Sequence, residues 1–167
     1  DITNLLPKGN FNEQEYITRL QNLIKTVRNP GLRALLETIF SGNLYDKFIM
    51  NPAGMRMHHA YIGGLLQHSV DVAGIAIALA EQIGNVDKVL VVASALLHDI
   101  GKLRQISAQT VLPYTDEGRL LGHIAMSIII VQEAAAKLKL PAARLEQLQH
   151  ILLSHHGDNE KGSPVEC

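Results

Sequence analysis

The chain has 167 residues, 19% of them charged, and a formal net charge of −1 with its histidines neutral. That is enough sequence to bury the core of one domain without staples, and it carries no overall basic field of the kind that advertises nucleic-acid binding, although a local groove for phosphate stays open. The one cysteine, Cys167, excludes an intramolecular disulfide and fits a reducing, cytoplasmic compartment.

Taken in order, residues 13–28 carry Ile17, Leu20, Ile24 and Val27 at helical spacing, and Asn29-Pro30 ends that segment. Leu32, Leu35, Leu36 and Ile39 continue the period to Ser41-Gly42-Asn43. Asn51-Pro52-Ala53-Gly54 is a turn signal, dividing a front helical segment (residues 1–50) from a histidine-bearing body (residues 51–167). Residues 60–83 predict a mostly buried helix closed near Gly84-Asn85, and residues 87–98 another, capped by Asn85 or Asp87. Residues 105–117 read as a loop containing Pro113, residues 118–139 as one long helix stopped by Pro141, and the stretch from Pro141 or Ala142 to Ser154 as the last. Alternating strand patterns are nearly absent, so the fold class is all-α. The longest apolar run, residues 89–97, is too short to cross a bilayer, and the first residues lack a cationic stretch leading into an apolar one, so neither a membrane span nor a secretory leader is expected. A start at Asp1 and a stop just after Gly162-Ser163-Pro164 read as a piece of a longer chain.

The chemistry gathers on histidines at the ends of these apolar segments. A lone histidine on an apolar helix is usually a core residue bonded to a carbonyl, but here the number of them changes the weighing. His98-Asp99 closes the run Ala93-Ser94-Ala95-Leu96-Leu97, with His68 upstream and His123, His155 and His156 downstream. An ionised carboxylate against such a run is costly without a compensating cation or hydrogen bonds. Neutral imidazole donates a ring nitrogen and a carboxylate can bridge two ions, so the set suits one or two divalent transition metals and points to metal-assisted hydrolysis. Gly101 permits a sharp exit and Lys102 returns positive charge to the rim.

The strings HHAYIGGLLQHS, ALLHDIGK, YTDEGRLLGHI and LSHHGDNEKGSPV resemble the HD superfamily of metal-dependent phosphohydrolases, and more narrowly the HD domain of YhaM-type 3′–5′ exoribonucleases, over residues 52–165. The resemblance implies an HD-domain helical bundle with an N-terminal helical extension. It implies metal ligation by His68, His98, Asp99, His123, His155 and His156, with Asp99 bridging two ions that clamp a phosphate and activate water. Lys102 matches a lysine placed for phosphate contact or leaving-group assistance, and Arg104 beside it is a further phosphate candidate, a solvated arginine being the plainer alternative. His58 and His59 match a histidine pair that could touch substrate or ligate metal, with a surface or capping role equally open. Tyr114-Thr115 and Asp116-Glu117-Gly118 would cap the following helix and help aim His123. The implied substrate is single-stranded RNA or DNA attacked at its 3′ end. The alternatives are free nucleotides, or a non-catalytic metal-bound sensor or interaction module; an oligomer is possible. Histidine-rich ligation favours Mn, Fe, Co, Ni or Zn over Mg.

The sequence departs from the family pattern in two places. HD proteins close the first metal site with a second aspartate on a later helix, and Asp158 is too near His156 to match it. The exoribonucleases also carry an oligonucleotide-binding β-barrel ahead of the HD domain, and no such pattern precedes it here. The expectation is unequal filling, with the site of His123, His155 and His156 the better occupied, and slow hydrolysis.

Overall fold

A computed structural model of the chain describes residues 9–54, 59–106 and 114–157. Among them it is all helical, with no strand beyond an isolated bridge between Ile106 and Tyr114. The first helix, Glu13–Thr26 (α1), starts at Asn12, whose side chain accepts the Glu15 N–H. Asn29 does more than end α1: its carboxamide oxygen accepts the Leu32 N–H at 3.0 Å and, with Pro30 in the first turn, starts Pro30–Ile39 (α2). Gly42–Met50 (α3) buries Phe48 edge-on against Phe40 and was not anticipated from the sequence.

Two helices then make the centre. Gly64–Ile83 (α4) begins four residues later than its apolar pattern does, after a turn through Gly63. Lys88–Leu97 (α5) is capped by Asp87, which accepts the Val89 and Leu90 N–H groups, each at 3.1 Å, and every residue from Val92 to Leu97 is buried. A four-residue helix, Lys102–Gln105 (α6), follows directly, so the chain tightens after the HD pair instead of leaving it. Asp116–Ala135 (α7) is capped by Thr115, which accepts the Gly118 N–H at 2.8 Å, and Ala142–Ser154 (α8) ends at the C-cap His155.

One apolar core joins these elements. Leu20 and Ile24 of α1 and Leu32, Leu35, Leu36 and Ile39 of α2 share it with Leu65, Leu66 and Val70 of α4, Leu96 and Leu97 of α5, Val131 of α7 and Leu148 and Leu152 of α8. The front helices therefore help fix where α4 and α5 end, and with them the histidines. No helix among the described residues is long and apolar enough to cross a membrane.

Candidate metal centre

Local sequence fixes four of the six ligand candidates at helix ends or breaks. His98 and His155 are the C-caps of α5 and α8, and each ring turns back on its own helix. Nδ1 of His98 donates to the Ala95 carbonyl at 2.8 Å, and Nδ1 of His155 to that of Leu152 at 2.7 Å. With the hydrogen on Nδ1, each Nε2 carries a lone pair, the arrangement metal-binding histidines use. His123 follows Gly122, whose φ of 72° and ψ of 166° break α7 in its first half. Glycine reaches that backbone region without a Cβ penalty, and the break turns the helix just where His123 projects. His156 extends from the same helix end as His155, and His68 sits on α4, just over one turn from its start.

These side chains converge on Asp99, which is 3% exposed. Its Oδ2 lies 3.3 Å from Nε2 of both His68 and His98 and 2.6 Å from Nζ of Lys102, and its Oδ1 lies 3.4 Å from Nε2 of His123. The two histidine Nε2 atoms of the first group are 3.1 Å apart, and those of His123 and His156 are 3.2 Å apart. The result is two triads, His68–His98–Asp99 and His123–His155–His156, each with its ligand atoms within 4.8 Å of one another. The His98 and His155 rings meet at 5.3 Å and join the two. Asp99 gives one carboxylate oxygen to each side.

The electrostatics fit a cation. Burial alone would push the Asp99 carboxyl up, but the close His68 and His98 rings and the charge of Lys102 outweigh it and hold the group well below the usual carboxylate range. Burial pushes the His123 imidazole down to about 4 and lowers that of His155 as well, so both rings are neutral at physiological pH, the state in which a ring nitrogen can ligate. Among the described residues the buried Nε2 of His155 has no hydrogen-bond partner, a cost that a cation on its lone pair would relieve. A divalent transition ion suits this donor set of five imidazoles and one carboxylate.

Gly101 and Ser127 hold the two halves together. Gly101 has φ of −63°, an ordinary helical value, so the sharp exit expected there is absent. Glycine is needed for closeness instead: a Cβ at Gly101 would lie 2.0 Å from the His123 carbonyl oxygen. The fully buried Ser127 accepts the Gly101 N–H at 2.9 Å and donates to the His98 carbonyl at 3.1 Å, tying α7 to the HD turn. Neither role showed in the sequence, although Ser127 lies one turn beyond His123.

Other candidates fall around this centre. Lys102 contacts Asp99 and forms its rim. The His59 ring lies 5.4 Å from that of His68, tilted by 53°, and its Nδ1 bonds the Tyr61 hydroxyl. Arg104 turns its guanidinium onto the Glu133 carboxylate of α7, at 3.3 and 2.5 Å, which engages two of its five N–H donors. Thr115 caps α7, and its hydroxyl donates to the Arg104 carbonyl at 2.7 Å, tying the start of α7 to α6. His58, Asp158 and Cys167 lie outside the described residues.

The chain matches the HD domain family over residues 65–166 and the HDOD domain family over residues 14–114. No solved structure matches it. The first match spans all six ligand candidates and the second spans α1 through α6, each more than half of the sequence. HD domains bind divalent metals, and His68, His98 and Asp99 form one possible site for them here. The chain belongs to the HD domain family and, over its front helices, to the HDOD domain family.

Proposed function

We propose that this protein is a metal-dependent phosphohydrolase that cleaves phosphodiesters at the 3′ end of single-stranded RNA or DNA. The observation that carries the reading is Asp99, with Oδ2 facing His68 and His98 and Oδ1 facing His123. A carboxylate so placed links two imidazole sets across a distance suited to a pair of ions. Bound divalent ions supply Lewis-acid stabilisation of phosphoryl oxygens and a water acidic enough to ionise near neutral pH. The chain's own residues do the rest. His98 and His155 aim their lone pairs through carbonyl-anchored Nδ1 atoms. Asp99 offsets positive charge at the centre. Lys102, with its side chain 18% exposed, places an ammonium at the rim where a phosphate oxygen would enter.

The polynucleotide substrate is supported by the four sequence strings, which resemble the exoribonuclease subfamily more closely than other HD enzymes. Metal analysis of protein purified without chelators, followed by turnover of a short 3′-hydroxyl oligonucleotide against nucleoside monophosphates, tests the reading. Release of mononucleotides from the oligonucleotide supports it, and turnover of the monophosphates alone assigns a nucleotide phosphohydrolase instead. The HDOD match favours a second reading, a non-catalytic metal-bound signalling module. Metal bound at the centre with neither substrate turned over would select it.

A further inference from the structure

Away from the metal centre, a cavity of about 320 Å³ opens to solvent where the end of α1 meets the last two turns of α4 and the start of α5. The buried Val92 and the half-buried Ile77 and Val89 form its wall, and the exposed Thr26, Arg28, Glu81 and Lys88 form its rim. Gly84 and Asn85, with φ of 67° and 49°, reverse the chain between the two helices, so Lys88 returns to lie 3.7 Å from Glu81. Counted along α5 at about 1.5 Å per residue, the cavity lies roughly 15 Å from the HD pair, at the other end of the two helices that present His68 and His98.

That volume has room for about ten waters at about 30 Å³ each, and it falls at the lower end of the range of small-molecule pockets. The three aliphatic side chains of the wall offer those waters no polar partner. The Thr26 hydroxyl donates to the Leu23 carbonyl at 2.6 Å and keeps only acceptor capacity. An apolar group that displaces such poorly held water gains free energy. The rim then sets the sign of the rest of the ligand. Lys88 is paired with Glu81, and the neighbouring Asp87 is held by Arg144 and by the Val89 and Leu90 N–H groups. Among the described residues the Arg28 side chain has neither an ion pair nor a hydrogen bond, so its guanidinium keeps the whole donor fork that fits a carboxylate. Two cations and one carboxylate leave a single net positive charge on the rim, which a monoanion neutralises and a dianion overshoots against Glu81.

We propose that this cavity binds a medium-chain carboxylate, with its hydrocarbon chain against Ile77, Val89 and Val92 and its head on the Arg28 guanidinium. The site uses no metal ligand and stands independently of the phosphohydrolase reading. Its ligand touches α4 and α5 at the ends opposite the histidines.

Decanoate, kept below the concentration at which it forms micelles, is the probe. It is titrated into the full chain carrying ¹³C-labelled isoleucine and valine methyl groups, with histidine ring signals followed in parallel. The expected result is a saturable shift of the Ile77, Val89 and Val92 methyl signals at one ligand per chain. Arg28→Gln, a change at an exposed position, should weaken decanoate by about fivefold to tenfold, the weight of one charge-assisted hydrogen bond, and leave the affinity for decanol as it is in the unaltered protein. Val89→Phe should block both ligands by filling the wall, and Arg28→Gln keeps the test decisive if that variant fails to fold. Decanoate that shifts the histidine rings and not the three methyl-bearing residues sits on the metal centre and overturns the site. Equal affinity for decanoate in Arg28→Gln, or decanol bound as tightly as decanoate, overturns the carboxylate head. Sedimentation with anionic phospholipid vesicles, with no methyl shift from decanoate, would assign a membrane surface in place of a ligand cavity and overturn the proposal.

Discussion

Replacing Gly101 by alanine tests whether the HD turn and α7 are set by direct backbone contact. Alanine accepts a φ of −63° without strain, so the whole effect comes from crowding. The added Cβ would sit 2.0 Å from the His123 carbonyl oxygen and 2.5 Å from the Ser127 nitrogen, both backbone atoms that no rotamer change can move. A carbon against a carbonyl oxygen settles at roughly 3.3 Å or more, so α7 must retreat by about 1 Å. Overpacking of this kind costs about 1–3 kcal/mol. Stretching the 2.9 Å bond from Gly101 to Ser127 adds about 1 kcal/mol. For a chain of this size a total of about 2–4 kcal/mol lowers the melting temperature by roughly 5–15 °C. The retreat carries His123 away from Asp99 Oδ1, now 3.4 Å distant, and a misplacement of about 1 Å costs on the order of a hundredfold in rate. Thermal melts, metal content and hydrolysis of an oligonucleotide read these three effects. A variant that melts and binds metal like the parent would refute the contact argument.

Three further substitutions probe the same centre. Asp99→Asn keeps the shape but removes the charge shared by both triads. Metal content should fall and hydrolysis should be lost, with stability down by about 3 kcal/mol because Lys102 is left beside an uncharged partner and far-UV helicity largely kept; unchanged activity would rule out the bridging role. Lys102→Ala removes an ammonium 2.6 Å from the oxygen that a cation at His68 and His98 would share. Metal affinity there should rise while KM for the oligonucleotide increases several-fold; lost metal with normal kinetics would show the role to be wrong. Ser127→Ala strands the Gly101 N–H and a lone pair of the His98 carbonyl in a fully buried place, and should cost about 2–3 kcal/mol by chemical denaturation; a loss under about 0.5 kcal/mol would contradict the tie.

Apolar periodicity placed α1, α2, α4, α5, α7 and α8 within a few residues, because each buries a stripe wide enough to dominate its composition. It missed α3, whose nine residues begin inside the Ser41-Gly42-Asn43 turn signal and bury only Phe48 completely. It missed α6, where four residues are too few to show a period. The break at Gly122 was hidden because the apolar pattern continues through it, although a glycine directly before a ligand candidate was the available signal. The histidines that gather around Asp99 were legible because a polar ring on an apolar helix needs a reason. Arg104 was not, since its partner Glu133 lies on another helix 29 residues away. The Ser127 tie was equally invisible: bonds between distant elements leave no periodic trace.

The two family matches divide the centre unequally, and that division can be tested. His68, His98 and Asp99 fall inside both, whereas His123, His155 and His156 fall only inside the HD match. A metal-bound module without catalysis needs only one triad, while in-line displacement on a phosphodiester draws on two ions, one for the attacking and one for the leaving oxygen. His123→Ala disturbs the second triad at the member that reaches Asp99, through a side chain 16% exposed. The expected outcome is a folded protein that keeps metal at His68, His98 and Asp99, loses it at His155 and His156, and turns over oligonucleotide at least about a hundredfold more slowly. Metal-edge anomalous scattering from crystals of parent and variant, set beside their rates, reads both parts. Full hydrolysis with the second triad emptied would show that one ion at the first triad suffices, and would sink the two-sided role given to Asp99.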